Sequence, residues 1–227
     1  MFWDDKFSIW VHDGQPGITD RYIVTEVKRA YKELYDFAKD KVVLDVGGNI
    51  GATARLLAKV AKHVIVVEPE PVNFEILQKN LEQFTNVTLL KGGVGPKDGI
   101  MPLYVNRHNN TGLHTLIPTN GRIALDIQIF DFAKLLDTYK PDALKFDAEG
   151  AEQYVSATLS ALPEYVKFIA IEYDIKPTGM TRAGFGKYAS VELFNKVAAQ
   201  FTHIRSKVPN PDEPHAGRHN GLYIGVR

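Results

Sequence analysis

Short apolar runs rich in β-branched residues recur along this chain, and they constrain the fold more than any other feature. They are Val42-Val43-Leu44, His63-Val64-Ile65-Val66-Val67, Val87-Thr88-Leu89-Leu90, Ala143-Leu144-Lys145-Phe146 and Lys167-Phe168-Ile169-Ala170-Ile171. Runs this short, nearly continuous rather than alternating, suit strands buried on both faces of a parallel sheet. Segments of helix length lie between them. Pro71 stands at a first-turn position before Phe74, Leu77, Leu81 and Phe84, which recur at helical steps. A second helix is expected from about Ala151 to Leu162, stopped by Pro163, and a third near Ser190 to Phe201 with Val191, Phe194, Val197 and Ala198 on one face. Strand–helix–strand alternation means right-handed crossovers and an open α/β sheet.

The ends break this rhythm. Residues 1–18 hold Gly14, Pro16 and Gly17 and read as an irregular arm. Thr19 or Asp20 is then expected to cap a helix carrying Ile23, Val27, Tyr31, Leu34 and Phe37. Thr202–Ser206 and Leu222–Val226 are strand-like and flank a proline-rich loop at 209–215, which suggests a closing antiparallel pair. Met101–Val105 and Ile123–Ile129 alternate like strands around the polar turn Asn109-Asn110-Thr111-Gly112. With 227 residues, one domain over 1–227 is expected: an arm and helix (1–40), a ligand-binding core (41–175) and a closing helix and strand pair (176–227).

Composition narrows the function classes. Lys and Arg total 27 and Asp and Glu total 27, so no strongly basic character points to nucleic acid. The absence of cysteine removes disulfides, thiol nucleophiles and cysteine-type zinc sites. No run approaches the ~20 apolar residues of a membrane span. Asp4 and Asp5 stand where a signal peptide would be basic, so a cytoplasmic protein is expected.

The first apolar run leads into Asp45-Val46-Gly47-Gly48-Asn49-Ile50-Gly51, with a helix expected from about Thr53. Glycines there admit a ligand's close approach, and the helix start offers free N–H groups. The spacing is not the G-x-G-x-x-G of dinucleotide sites, which disfavours a dehydrogenase. An acid, Glu68, ends the next strand, where doubly wound folds hold ribose hydroxyls. Together these features indicate an adenosine-type ligand.

Three blocks, VVLDVGGNIG (42–51), VEPEPVNFEILQKNL (67–81) and LKFDAEGAE (144–152), resemble those of FkbM-type S-adenosylmethionine-dependent methyltransferases, in the same order and spacing over roughly residues 18–175. Gly48 stands where that family usually has Ala, and Ala148 where it usually has Val. The resemblance implies a Rossmann-like class I methyltransferase fold: a seven-stranded, mostly parallel sheet with an antiparallel last strand and helices on both faces. It implies S-adenosyl-L-methionine as cofactor, with Asp45, Gly47, Gly48, Asn49 and Gly51 around its methionine part. Glu68 would then hold the ribose, and Gly93 and Val94 would lie by the adenine; Phe74 or Val94 could pack on the ring, with core packing the expected role of Phe74.

The block Asp147-Ala148-Glu149-Gly150-Ala151-Glu152 crowds carboxylates beside the expected transfer site. Such crowding suits a base, or would be relieved by a magnesium or calcium ion completed by Glu172 and Asp174; simple helix capping is the competing reading, and no metal is assigned. A hydroxyl nucleophile must lose a proton, so the acids favour O-methylation of a small molecule or sugar, with Asp147 first and Glu149 second as catalytic residues. Lys145 either bridges to this block or snorkels past the sheet end, and the structural role is the one expected. An RNA 2′-hydroxyl acceptor would need a basic track, for which Arg205, Lys207, Arg218 and Arg227 are the candidates. A binder without catalysis is the third alternative. His108 and His114 either rim the cleft or sit on a solvated turn, and His63 begins a strand and is expected to be structural. The 215–219 spacing of the C-terminal His203, His215 and His219 group is ligand-like only on a helix, which Pro214 and Gly217 oppose.

Overall fold

The computed structural model describes residues 1–106, 111–174, 187–207 and 220–227. Its elements are, in chain order, β1 (Phe2–Asp4), β2 (Ile9–Val11), α1 (Gln15–Ala30), α2 (Lys32–Phe37), β3 (Val42–Val46), α3 (Ala52–Leu57), β4 (His63–Glu68), α4 (Pro71–Leu81), β5 (Val87–Lys91), β6 (Gly93–Gly95), β7 (Gly99–Val105), β8 (Ile123–Asp131), α5 (Phe132–Tyr139), β9 (Ala143–Phe146), a 3-10 turn (Ala151–Gln153), α6 (Ser156–Leu159), β10 (Phe168–Asp174), α7 (Lys187–Ala198), β11 (Thr202–Lys207) and β12 (Asn220–Val226).

The main sheet has seven strands in the order β11-β12-β10-β9-β3-β4-β5. β10, β9, β3, β4 and β5 run parallel, whereas β12 is antiparallel to both β10 and β11. Successive strand residues point to opposite faces, and both faces are covered. Leu44, Ile65, Leu144, Phe146, Ile169 and Tyr223 pack with Phe132, Leu136, Leu193 and Val197 from α5 and α7. Val43, Val64, Ala143, Phe168, Ala170 and Ile224 pack on the other side with Leu34, Leu57, Phe74 and Leu77 from α2, α3 and α4. Double coverage is why these runs are continuously apolar.

A second sheet, β6-β8-β7, lies between β5 and β9 in the chain. The alternating segments 101–105 and 123–129 pair antiparallel within it, with Val105 opposite Ile123. The turn at 107–110, including His108, lies outside the described residues, as do the 209–215 loop, His215, Arg218 and His219.

Three expectations are corrected. The stretch 1–18 is not irregular: β1 and β2 form a hairpin whose Ile9 and Val11 are buried with Val24, Ile50 and Ile76. What holds it is distant in sequence. Buried Asn80 accepts from Trp10 N (2.6 Å) and donates to Trp10 O (2.9 Å) and Ile50 O (2.7 Å). Second, α1 starts at Gln15 after Gly14, not at a Thr19 or Asp20 cap. Asp20 sits inside the helix with its side chain fully buried, because His12 and Thr111 supply its hydrogen bonds. Third, the 151–162 helix is broken into the 3-10 turn and the four-residue α6. The Glu152 carboxylate turns back to accept from Gly150 N (3.0 Å), and the β-branched Val155 takes φ −111°, outside the helical range.

Candidate functional site

The parallel strands deliver their chemistry at their carboxyl ends, on either side of the point where chain order reverses between β3 and β9. Gly47 (φ 83°), Asn49 (φ 50°) and Gly51 (φ 85°) adopt left-handed backbone there, which glycine and asparagine tolerate best. Gly47 is also the point of closest approach to the next strand: a Cβ at this position would collide with the Asp147 carbonyl. The loop after β3 and the acidic turn after β9 are thus pressed together, and Asp147 N donates to Val46 O (3.1 Å).

Under this contact lies a charged cluster. Lys145, buried in the middle of β9, ion-pairs with Asp45 Oδ1 (3.1 Å), faces Asp147 Oδ2 (3.5 Å) and donates to Gly47 O (2.7 Å). Burial works against the ammonium, but the Asp45 and Asp147 charges outweigh it and hold its proton affinity above that of an ordinary lysine. Burial pushes the Asp45 carboxyl up, with Lys145 pulling it back. Tyr31, at the junction of α1 and α2, donates its hydroxyl to Asp147 Oδ2 (3.1 Å). Burial and then the Asp147, Glu172 and Asp45 charges keep that phenol protonated far above its usual range. Asp45 is wholly buried, whereas the Asp147 side chain keeps 29% of its surface in solvent. Among the described residues, both partners of the Asp147 carboxylate converge on Oδ2, and nothing holds Oδ1.

The rest of the acidic block divides. Glu149 has φ 49°, and its carbonyl accepts from Thr115 Oγ1 (2.6 Å). Glu152 is buried on its own turn, and Asp142 stands at the opposite, amino end of β9, where its Oδ2 accepts from Val42 N (2.8 Å). Glu172 on β10 is near enough to Tyr31 and Lys145 to help hold the proton on both. Among the described residues no group of three or more His, Cys, Asp or Glu is arranged to hold a metal ion.

Glu68 closes β4 on the other side of the glycine loop and is buried. Its Oε2 accepts from Asn49 N (2.7 Å), and its Oε1 accepts from Glu70 N (2.9 Å) and from Asn73 Nδ2 (3.4 Å). Burial outweighs these donors and pushes the carboxyl up to about 7. Gly92 N donates to the Glu68 carbonyl (3.0 Å), which brings Gly93 and Val94 to the same end of the sheet. Val94 itself is buried in the core with Phe132 and Phe146, and Phe74 is likewise a core residue.

Sequence reasoning missed a polar chain above this floor. Thr111 O accepts from the side-chain amides of Asn49 (3.0 Å) and Asn73 (3.1 Å), and Thr111 Oγ1 donates to Asp20 Oδ1 (2.8 Å). Asp20 Oδ2 in turn accepts from His12 N (2.8 Å) and faces His12 Nδ1 (2.9 Å). Asn73 carried a signal, since a buried Asn in a first helical turn needs partners; Asp20 carried none. His114 is half-enclosed here, and burial, with Arg122 and His12 nearby, lowers it to about 4.

Two of the four basic residues near the C-terminus, Arg205 and Arg227, are committed elsewhere. Arg205 bonds Glu33 (3.0 Å) and Ala30 O (2.7 Å), and Arg227 bonds the carbonyls of Pro163 and Gln200.

The strand order, with one antiparallel strand inserted before the edge, is that of the Rossmann-like class I methyltransferase fold. Residues 45–159 match the methyltransferase FkbM domain, and the chain belongs to that family. Two solved structures share the architecture at low identity. The FkbM methyltransferase of Methylobacillus flagellatus KT superposes with a TM-score of 0.51 at 15% identity, covering 94% of this chain and 56% of that one. The putative methyltransferase yhhF of Escherichia coli gives 0.51 at 17% identity, covering 96% and 90%. The chain therefore spans little more than half the length of that FkbM structure. No curated protein matches it by sequence. Among the described residues no helix is long and apolar enough to cross a membrane.

Proposed function

We propose that this protein binds S-adenosyl-L-methionine over the β3 and β4 ends and transfers its methyl group to a hydroxyl of a small molecule or sugar. The residues fit such a ligand. Gly47 and Gly51 place bare backbone at the loop, Glu68 offers a buried carboxylate, and Asn73 Oδ1 is a buried acceptor without a donor among the described residues. Asp45, Gly47, Gly48, Asn49 and Gly51 are assigned to the methionine part and Glu68 to the ribose. The adenine is assigned to the side of Gly93 and Val94.

When bound, the cofactor supplies a methyl group on a sulfonium, open to in-line attack. What the chain supplies is position and a proton acceptor. Asp147 carries the reading: its Oδ2 is tied by Tyr31 and Lys145, its Oδ1 is left for the acceptor, and it abuts the glycine loop. A hydroxyl hydrogen-bonded to Oδ1 is oriented toward the loop and passes its proton to that oxygen as the methyl is transferred. Glu149 on the same turn is the second candidate. A nucleic-acid acceptor is less well supported, because Arg205 and Arg227 are engaged by internal partners. A cofactor binder without catalysis would have no use for the half-held Asp147 carboxylate.

Calorimetric titration with S-adenosylmethionine, S-adenosylhomocysteine and NAD tests the cofactor, with Glu68→Ala as control. Binding of NAD alone would refute it. A screen of sugars, small alcohols and short RNAs with labelled cofactor tests the acceptor. If Asp147→Ala and Glu149→Ala both kept full turnover, the catalytic assignment would be wrong.

A further inference from the structure

We propose that Asn73 is a ribose-binding residue, its Oδ1 accepting one hydroxyl of the nucleoside diol while Glu68 accepts the other; this rests on the cofactor reading above. A vicinal diol brings two O–H donors side by side and needs two acceptors to match. Glu68 alone is poorly supplied with them. Each carboxylate oxygen has two acceptor positions, and Oε1 already takes Glu70 N and Asn73 Nδ2, while Oε2 takes Asn49 N. One acceptor position remains, on Oε2.

Asn73 supplies the second. It is 1% exposed, and its Oδ1 is one of few buried side-chain atoms without a hydrogen-bond partner among the described residues. Its orientation is not ambiguous, because Nδ2 faces two acceptors, Glu68 Oε1 and Thr111 O, so the oxygen must be the other atom. Leaving a buried acceptor unpaired is costly, and buried polar groups are nearly always satisfied. The residue is also rigidly placed: Glu70 caps α4 by accepting from Asn73 N (2.6 Å), which fixes the backbone one turn from the Glu68 carboxylate.

The amides of Asn49 and Asn73 converge on one atom, the Thr111 carbonyl oxygen, beside Glu68. Oδ1 is buried in this structure, and the route by which it meets a ribose is a turn of the Asn73 amide that gives up its bond to Thr111 O. The bond released is one the amide donates and the bond gained is one its oxygen accepts; Nδ2 keeps Glu68 Oε1 as an acceptor, and Thr111 O keeps the Asn49 amide as a donor, so neither group is left without a partner.

The test is calorimetry on the full chain, wild type and Asn73→Ala, with S-adenosylhomocysteine and its 2′-deoxy and 3′-deoxy analogues. The variant should bind S-adenosylhomocysteine roughly tenfold more weakly, the range of one hydrogen bond. One of the two deoxy analogues, the one lacking the hydroxyl that Asn73 accepts, should bind both proteins equally. Equal affinity of variant and wild type for S-adenosylhomocysteine overturns the assignment, as does a loss of the same size for all three ligands. On the wild-type chain, the Asn73 side-chain amide resonances should move with S-adenosylhomocysteine and stay in place with the 2′,3′-dideoxy analogue. If both ligands move them alike, the assignment falls even where the variant does not fold. A wild-type chain that binds no S-adenosylhomocysteine overturns the cofactor reading and this assignment with it, whereas binding without any effect of Asn73 overturns this assignment alone.

Discussion

Replacing Glu68 by glutamine should change how the stability of this protein depends on pH. In the folded chain the Glu68 carboxyl is 4% exposed, and burial lifts it from the ordinary 4.5 to about 7. Below pH 4.5 the carboxyl is protonated in both the folded and unfolded chain, and its full contribution to stability is present. As the pH rises the unfolded chain releases the proton first, and the folded chain follows only near 7. The contribution is therefore lost between about 4.5 and 7, and ionisation favours the unfolded state there. At about 1.36 kcal/mol per pH unit, the span from 4.5 to about 7 amounts to roughly 3 kcal/mol. The glutamine side chain does not titrate, so the stability of wild type relative to Glu68→Gln should fall by roughly that amount from about pH 4.5 to about pH 8. Urea denaturation of both proteins at half-unit pH intervals measures the difference directly. A difference that stays constant across this window would refute the reasoning. A wild type that gains on the variant as pH rises would show that Asn49 N, Glu70 N and Asn73 Nδ2 outweigh burial at this carboxylate.

Three further outcomes follow from the same contacts. Lys145→Met leaves Asp45 as an uncompensated buried carboxylate and should lower stability by about 3–5 kcal/mol in urea unfolding; adding Asp45→Asn should recover more than half of that. Gly47→Ala places a Cβ at φ 83° and against the Asp147 carbonyl, so it should cost at least about 2 kcal/mol in thermal unfolding and abolish S-adenosylhomocysteine binding in calorimetry. Asp20→Ala strips partners from His12 N and Thr111 Oγ1; a loss of roughly 2–3 kcal/mol is expected, with faster hydrogen exchange at the His12 amide than in wild type.

How much could be read from the sequence depended on whether the cause was local. Val43 and Leu44, or Val64 and Ile65, are apolar in succession because one faces α2 and α3 and the other α5 and α7, so the parallel strands show in the residue types alone. The glycine loop and Glu68 were visible for a similar reason: special backbone and a strand-end acid are written in consecutive residues. The N-terminal hairpin was not, because Trp10 is held by Asn80, a partner 70 residues away. Asp20 looked like a cap because short polar residues favour that position, yet two distant groups, His12 and Thr111, offset the cost of its burial in mid-helix. Acidity alone could not sort the 142–152 cluster either. Asp142 and Asp147 lie at opposite ends of a four-residue strand, so one steadies Val42 while the other meets Lys145 and Tyr31.

The side sheet makes no ladder with the seven main strands, yet the stretch it carries reaches both halves of the site. Thr111 meets the Asn49 and Asn73 amides, Thr115 meets the Glu149 carbonyl, and Ile117 lies where any side chain at Gly150 would have to go. It works as an exchangeable faceplate bolted to a constant engine. A substitution along this one stretch would change those contacts without touching the ladders of β3, β4 and β9 that set the floor. New side chains between β7 and β8 are therefore the shortest route to a different site surface, because that stretch lies outside the three sequence blocks yet touches Asn49, Asn73 and Glu149 within them.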